Sequence, residues 1–128
     1  MALTVTLLER ITRGGVQTDK TQTLSGGAGA SLSETIPAES ADLEIIFTLD
    51  FSACVFFYIM CDRDLVVETN SASVPDDTLT LVANMPYIWH TDSLPPFLIT
   101  ADITSLFATL AAGADATLVI ESLSDPTP

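Results

Sequence analysis

Positive charge is what this sequence has least of. Of its 128 residues four are Lys or Arg and seventeen are Asp or Glu, for a net charge of −13 at pH 7. Counterion release onto a polyanion needs many cationic side chains, which excludes a nucleic-acid partner. The same shortage disfavours an anionic membrane surface. Histidine is represented by His90 alone, and cysteine by Cys54 and Cys61. Two cysteines make no disulfide framework. An odd number of positions apart on one strand, they would face opposite sides and lie too far apart to bond. Both read as buried apolar thiols. Long apolar runs are missing too. The longest, Ala53 to Cys61, is nine residues, where a membrane-spanning helix needs about 20. Met1-Ala2-Leu3-Thr4-Val5 has no basic region before an apolar core, so no signal peptide is expected. Together with free thiols this points to a reducing compartment at synthesis.

Hydrophobic residues nevertheless make up 48%, which excludes disorder of the polar, charge-rich kind. A chain of 13.6 kDa is one domain's worth. Compactly folded, it would expose on the order of 6,600 Å². The charge is uneven along it. Residues 1–24 hold Arg10, Arg13 and Lys20 against Glu9 and Asp19, net +1. Residues 25–128 hold only Arg63 against fifteen acids, net −14. The two parts meet at Ser25-Gly26-Gly27-Ala28-Gly29-Ala30-Ser31, the one low-complexity stretch. Four segments follow: 1–24, a hairpin or arm; 25–34, a flexible Gly/Ser-rich linker or loop; 35–124, a β-sandwich domain; 125–128, a tail. Residues 1–24 either belong to that domain as a hairpin or form an arm that reaches a partner.

The apolar periodicity is that of strands. Leu3, Val5 and Leu7 alternate with Thr4 and Thr6. Arg13-Gly14-Gly15 supplies the positive φ values of a tight hairpin, with Val16 to Leu24 returning. Leu43, Ile45, Phe47 and Leu49 mark a strand with one buried face. Cys54 to Cys61 is apolar on both faces and rich in aromatic and β-branched residues, as a central strand is. Further short strands are expected at Leu65–Glu68, Thr78–Val82, Pro86–Thr91, Leu106–Leu110 and Thr117–Leu123. Helix evidence is thin: Asp50-Phe51-Ser52-Ala53 and Asp102-Ile103-Thr104-Ser105-Leu106 each suit a single capped turn. Seventeen threonines against one lysine also fit a β protein. The expected fold is all-β, an antiparallel sandwich of eight or nine short strands, jelly-roll-like, with an N-terminal hairpin or arm.

No catalytic motif is evident. His90 has Asp92 and Ser93 beside it, but no glycine-framed nucleophile accompanies them. Cys54 and Cys61 lie in the most apolar segment, where a thiolate is disfavoured. One His and two distant Cys make no zinc site. Asp62-Arg63-Asp64 and Asp76-Asp77 are oxygen-rich turns without calcium-loop spacing; such carboxylates commonly cap their own turns. Gly26-Gly27-Ala28-Gly29 lacks the Lys of a phosphate loop. No metal, cofactor or catalytic residue is therefore assigned, and the chain is read as a non-enzyme that works by its surface. The candidate contact residues are Leu3, Val5, Leu7, Arg10 and Arg13 near the N-terminus, and Trp89, Leu94, Pro95 and Phe97. Trp89 is expected as a core or interface anchor.

Four stretches occur in an order that resembles one protein group: Glu68-Thr69-Asn70-Ser71, Pro75-Asp76-Asp77-Thr78-Leu79, Pro86-Tyr87-Ile88-Trp89-His90-Thr91-Asp92 and Leu98-Ile99-Thr100-Ala101-Asp102-Ile103-Thr104. The group comprises small structural proteins encoded in the capsid gene clusters of tailed bacteriophages. The resemblance spans roughly residues 43–122 and leaves out residues 1–40. It implies a capsid cement (decoration) protein: a compact β-fold, commonly trimeric, synthesised in the host cytoplasm and seated on the outer capsid surface against the major capsid protein. On that expectation the slightly basic N-terminal segment meets an acidic patch of the shell while the acidic body faces solvent. A minor tail or head-completion component, and a carbohydrate- or receptor-binding β-sandwich module, remain as alternatives.

Overall fold

The computed structural model describes residues 3–125; residues 126–128 of the expected tail lie outside the described residues. The protein is all-β, with ten antiparallel strands. They are β1 (Leu3–Arg13), β2 (Val16–Gly26), β3 (Ala28–Ile36), β4 (Leu43–Ile45), β5 (Cys54–Cys61), β6 (Leu65–Thr69), β7 (Thr78–Leu81), β8 (Tyr87–His90), β9 (Leu106–Thr109) and β10 (Ala116–Ser124). One 3-10 turn, Phe51–Ala53, precedes β5, and the Asp50 side chain caps it by accepting from the Ser52 amide. Asp102 to Leu106, expected to make a second such turn, instead bridges to Leu49 through Ile103.

β1 and β2 form a separate two-stranded ribbon, in register from Leu3 opposite Gly26 to Arg13 opposite Val16. Gly14 and Gly15 turn it with φ of +58° and +82°, the pair of positive values that a two-residue hairpin of matching twist requires. The other eight strands make two sheets, in the orders β3-β10-β5-β8 and β4-β9-β6-β7. The chain changes sheet at every connection except β6 to β7. That is jelly-roll connectivity, two Greek keys wrapped into a sandwich.

Period-two alternation makes each sheet amphipathic. Leu118 and Ile120 of β10, Phe57 and Ile59 of β5, and Val67 of β6 meet between the sheets with Ile36, Ile99, Ile103 and Leu110, all fully buried. β5 lies second from the edge, between β10 and β8. Its pairing with β10 slips between Phe56–Leu123 and Cys54–Ser124, so Val55 is an extra residue. The bulge resets the alternation and turns Cys54 into the same core as Cys61. The expectation that the two thiols face opposite sides is thus corrected; seven residues of strand, roughly 20 Å or more, still keep them apart, and both are free.

Two further expectations are corrected. Residues 25–34 are not a flexible linker: β3 pairs with β10 over nine residues, and the sandwich begins at Ala28. Its glycines serve close approach. A Cβ on Gly29 would meet Leu3 Cδ1 at 3.0 Å and the Ser122 carbonyl oxygen at 3.2 Å. The strand expected over 43–49 is laddered only to Ile45, although Phe47 and Leu49 are buried as their spacing foretold.

The base of the ribbon is held by a second, smaller cluster. Leu24, Phe56 and Leu123 are buried there, with Val5, Val55, Tyr58 and Ile88 against them. The ribbon therefore lies on the outer face of the β3-β10-β5-β8 sheet. Beyond that contact, residues 8–21 are exposed without exception. Part of the reason the surface reaches 7459 Å², against roughly 6,600 Å² for a compact chain of this mass, is this projection.

Candidate functional site

Opposed residues of an antiparallel ribbon share a face. One face of this ribbon carries Val5, Leu7, Glu9, Ile11 and Arg13, with Leu24, Gln22, Lys20, Thr18 and Val16 opposite them. It packs on the sandwich through Val5 and Leu24 and then continues into solvent. The other face is polar apart from Leu8. Arg10 lies there, and its guanidinium grips Asp19: Nε donates to Oδ1 at 2.9 Å and Nη2 to Oδ2 at 3.2 Å. Such an exposed pair contributes under about 1 kcal/mol but pins the register. The side chains of Arg13 and Lys20 make no hydrogen bond or ion pair among the described residues. Ile11 and Val16 are 69% and 67% exposed. An isolated two-stranded ribbon with both faces in water is marginally stable at best.

A cleft of about 530 Å³ opens between the ribbon and the loop after β8. Leu7, Glu9, Lys20 and Gln22 form one wall; Ile88, His90 and Asp92 to Pro95 form the other. Leu94 stands at its rim, 99% exposed. The loop is nevertheless anchored. Trp89 and Phe97 stack at 4.1 Å and 7°, and Phe97 packs on Phe57 at 5.7 Å. The Tyr87 hydroxyl accepts from the Leu98 amide at 3.0 Å and donates to the Pro96 carbonyl at 3.4 Å. Burial raises the Tyr87 pKa above its ordinary value, a shift partly offset by that amide. Of the contact residues expected from sequence, Leu7, Leu94 and Pro95 line this cleft, and Leu3 and Arg13 are exposed on the ribbon. Val5 packs on the sandwich, Arg10 faces away with Asp19, and Trp89 and Phe97 pack against the protein's own core.

His90, Asp92 and Ser93 do share the cleft, but among the described residues no hydrogen bond runs from one of their side chains to another. His90 Nδ1 lies 2.7 Å from the Thr91 carbonyl, which fixes the proton there in the neutral ring, because a carbonyl only accepts. Ser93 Oγ accepts from the His90 amide at 2.9 Å. Burial pushes the Cys54 thiol up to about 11 and raises Cys61 as well. The acidic turns cap backbone: Asp62 accepts from the Thr117 amide, Asp64 from Ala83 and Asp77 from Thr100. Arg63, rather than pairing with its neighbours, donates Nε to the Asp115 carbonyl at 2.9 Å. Among the described residues no three metal-ligating side chains converge.

Sequence reasoning stopped the ribbon's apolar face at Leu7. Extending the same parity to Ile11, and across the turn to Val16 and Lys20, would have found its outer half. Compared with protein-family models, curated proteins and solved structures, the chain matches none.

Proposed function

We propose that the chain is a non-enzymatic structural protein of a virion: a capsid cement protein that docks as a homotrimer on the major capsid protein shell, on its outer surface. The observation that carries this is the ribbon, a β-arm anchored on a jelly-roll body and projecting with apolar residues and unpaired cations in solvent. A cement protein must be soluble before assembly and bury apolar surface on docking. A charge of −13 serves the first need by self-repulsion between free chains. Leu94, which is almost wholly exposed, and Pro95 beside it serve the second. A sugar-binding module would offer an aromatic face to its ligand, whereas here Trp89 is stacked on Phe97. The test is quantitative mass spectrometry of purified particles of the phage that encodes the chain. Cement is present in fixed ratio to the major capsid protein, and the Leu94→Asp variant, which leaves the ribbon untouched, loses that occupancy. Presence in a few copies points to a tail or head-completion component, and absence refutes a virion role.

A further inference from the structure

The two outer faces of the sandwich are not equivalent. The ribbon's base covers part of the β3-β10-β5-β8 face. Among the described residues no element covers the opposite one. There Glu44, Phe107, Glu68 and Thr78 stand side by side across β4, β9, β6 and β7, with Thr109, Val66 and Thr80 in the next row. Phe107 and Val66 are half-buried, and Ile46 and Val82 at the rim are 70% and 57% exposed. Phe107 thus lies between two carboxylates, and Val66 between two threonines in the next row. The face has no cation, since the body's single one, Arg63, is held at the Asp115 carbonyl.

The far half of the ribbon has the opposite character. Ile11 and Val16 share a face with Arg13 and Lys20, whose side chains have no hydrogen-bond or ion-pair partner among the described residues, against one carboxylate, Glu9 opposite Lys20. This face cannot reach the Glu44 and Glu68 carboxylates of its own copy. The ribbon is fixed to the other side of the sandwich and stays in register to its tip.

We infer that the projecting half of the ribbon docks on the outer β4-β9-β6-β7 face of a second copy, Arg13 and Lys20 against Glu44 and Glu68, Ile11 and Val16 against Phe107 and Val66. The contact is head-to-tail: different surfaces meet, so copies join into a closed ring or an open chain according to the rotation between them. It also relieves two liabilities at once, a ribbon with nothing to pack on and an acidic face with no counter-charge. It does not depend on the virion reading, because a chain that never meets a capsid would still associate in this way.

Lys20 is the only lysine, which makes the test specific. A zero-length carbodiimide cross-link has one side-chain amine to use. In an equal mixture of isotope-labelled and unlabelled chains, Lys20 is expected to join Glu44 or Glu68 in mixed-isotope peptides. Cross-links confined to single chains, such as Lys20 to Glu9, would overturn the inference. Charge reversal gives a second readout by light scattering. Arg13→Glu with Lys20→Glu, and separately Glu44→Lys with Glu68→Lys, each abolish the oligomer, and mixing the two variants restores association. All four residues are surface positions, and circular dichroism verifies the fold. A wild-type chain that stays monomeric, or variants that keep the oligomer, refute it. Protection of the ribbon only on particles would assign the ribbon to a shell protein instead.

Discussion

Gly26 is where the ribbon turns onto the sandwich, and it has no room for a side chain. A Cβ there would overlap the Ser124 carbonyl oxygen, sit 2.9 Å from its carbonyl carbon and 3.1 Å from Leu123 Cγ. The obstruction is the backbone of β10, which is paired on both sides with β3 and β5 and cannot yield. Gly26→Ala must therefore lift the ribbon's base. Overpacking of a tight contact costs about 1–3 kcal/mol. Full undocking would expose Leu24 and uncover Phe56 and Leu123, and each such side chain contributes about 1.5–3 kcal/mol when buried. Strain is the cheaper outcome, so a loss of about 2 kcal/mol is expected. For a chain of this length that lowers Tm by roughly 6–10 °C. Gly113→Ala is the control, since a Cβ there meets nothing within 4 Å. Thermal melts followed by circular dichroism read both. A Gly26→Ala melt equal to wild type, or an equal fall for Gly113→Ala, would refute this role for Gly26.

Asn70 has φ of +68° and ties three segments together. Its amide donates to Asp76 and the Asp102 carbonyl, and its oxygen accepts from the Thr104 amide and hydroxyl. Asn70→Ala should cost about 2–4 kcal/mol, seen as a lower denaturation midpoint with unchanged m-value. A raised thiol pKa favours the folded state while the thiol is protonated. The contribution of Cys54 is thus complete below its ordinary value of 9.0 and is lost as pH rises through about 11, a decline in stability that Cys54→Ala should not show. Both thiols should also resist alkylation until the protein unfolds. Amide exchange should be slow across residues 56–59, which are paired on both sides, and fast across residues 9–20; fast exchange in β5 would contradict its placement.

Much of the fold was legible because its signals are local. Cys54–Cys61 is apolar on both faces, and the structure places it between two partners. Gly14-Gly15 fixed the hairpin. What sequence hid was non-local. β3 reads as a linker because Ala28-Gly29-Ala30-Ser31 has little β-propensity; a nine-residue ladder to β10 and the close approach of Leu3 hold it in place. The bulge at Val55 is set by its partner strand, so no count along the chain foretells that Cys54 and Cys61 share a core. The contact surface was half legible. Alternation marks the ribbon's apolar parity, but which half is covered depends on where its base docks. Trp89 and Phe97 illustrate the converse: both suit an interface anchor by composition, yet eight residues apart they stack on each other.

The most direct measurement is the ratio of this chain to the major capsid protein in purified particles, taken with the chain's solution mass. A cement role predicts a fixed integer relation to the capsid subunits and a stable trimer in solution. A monomer that is absent from particles would contradict it.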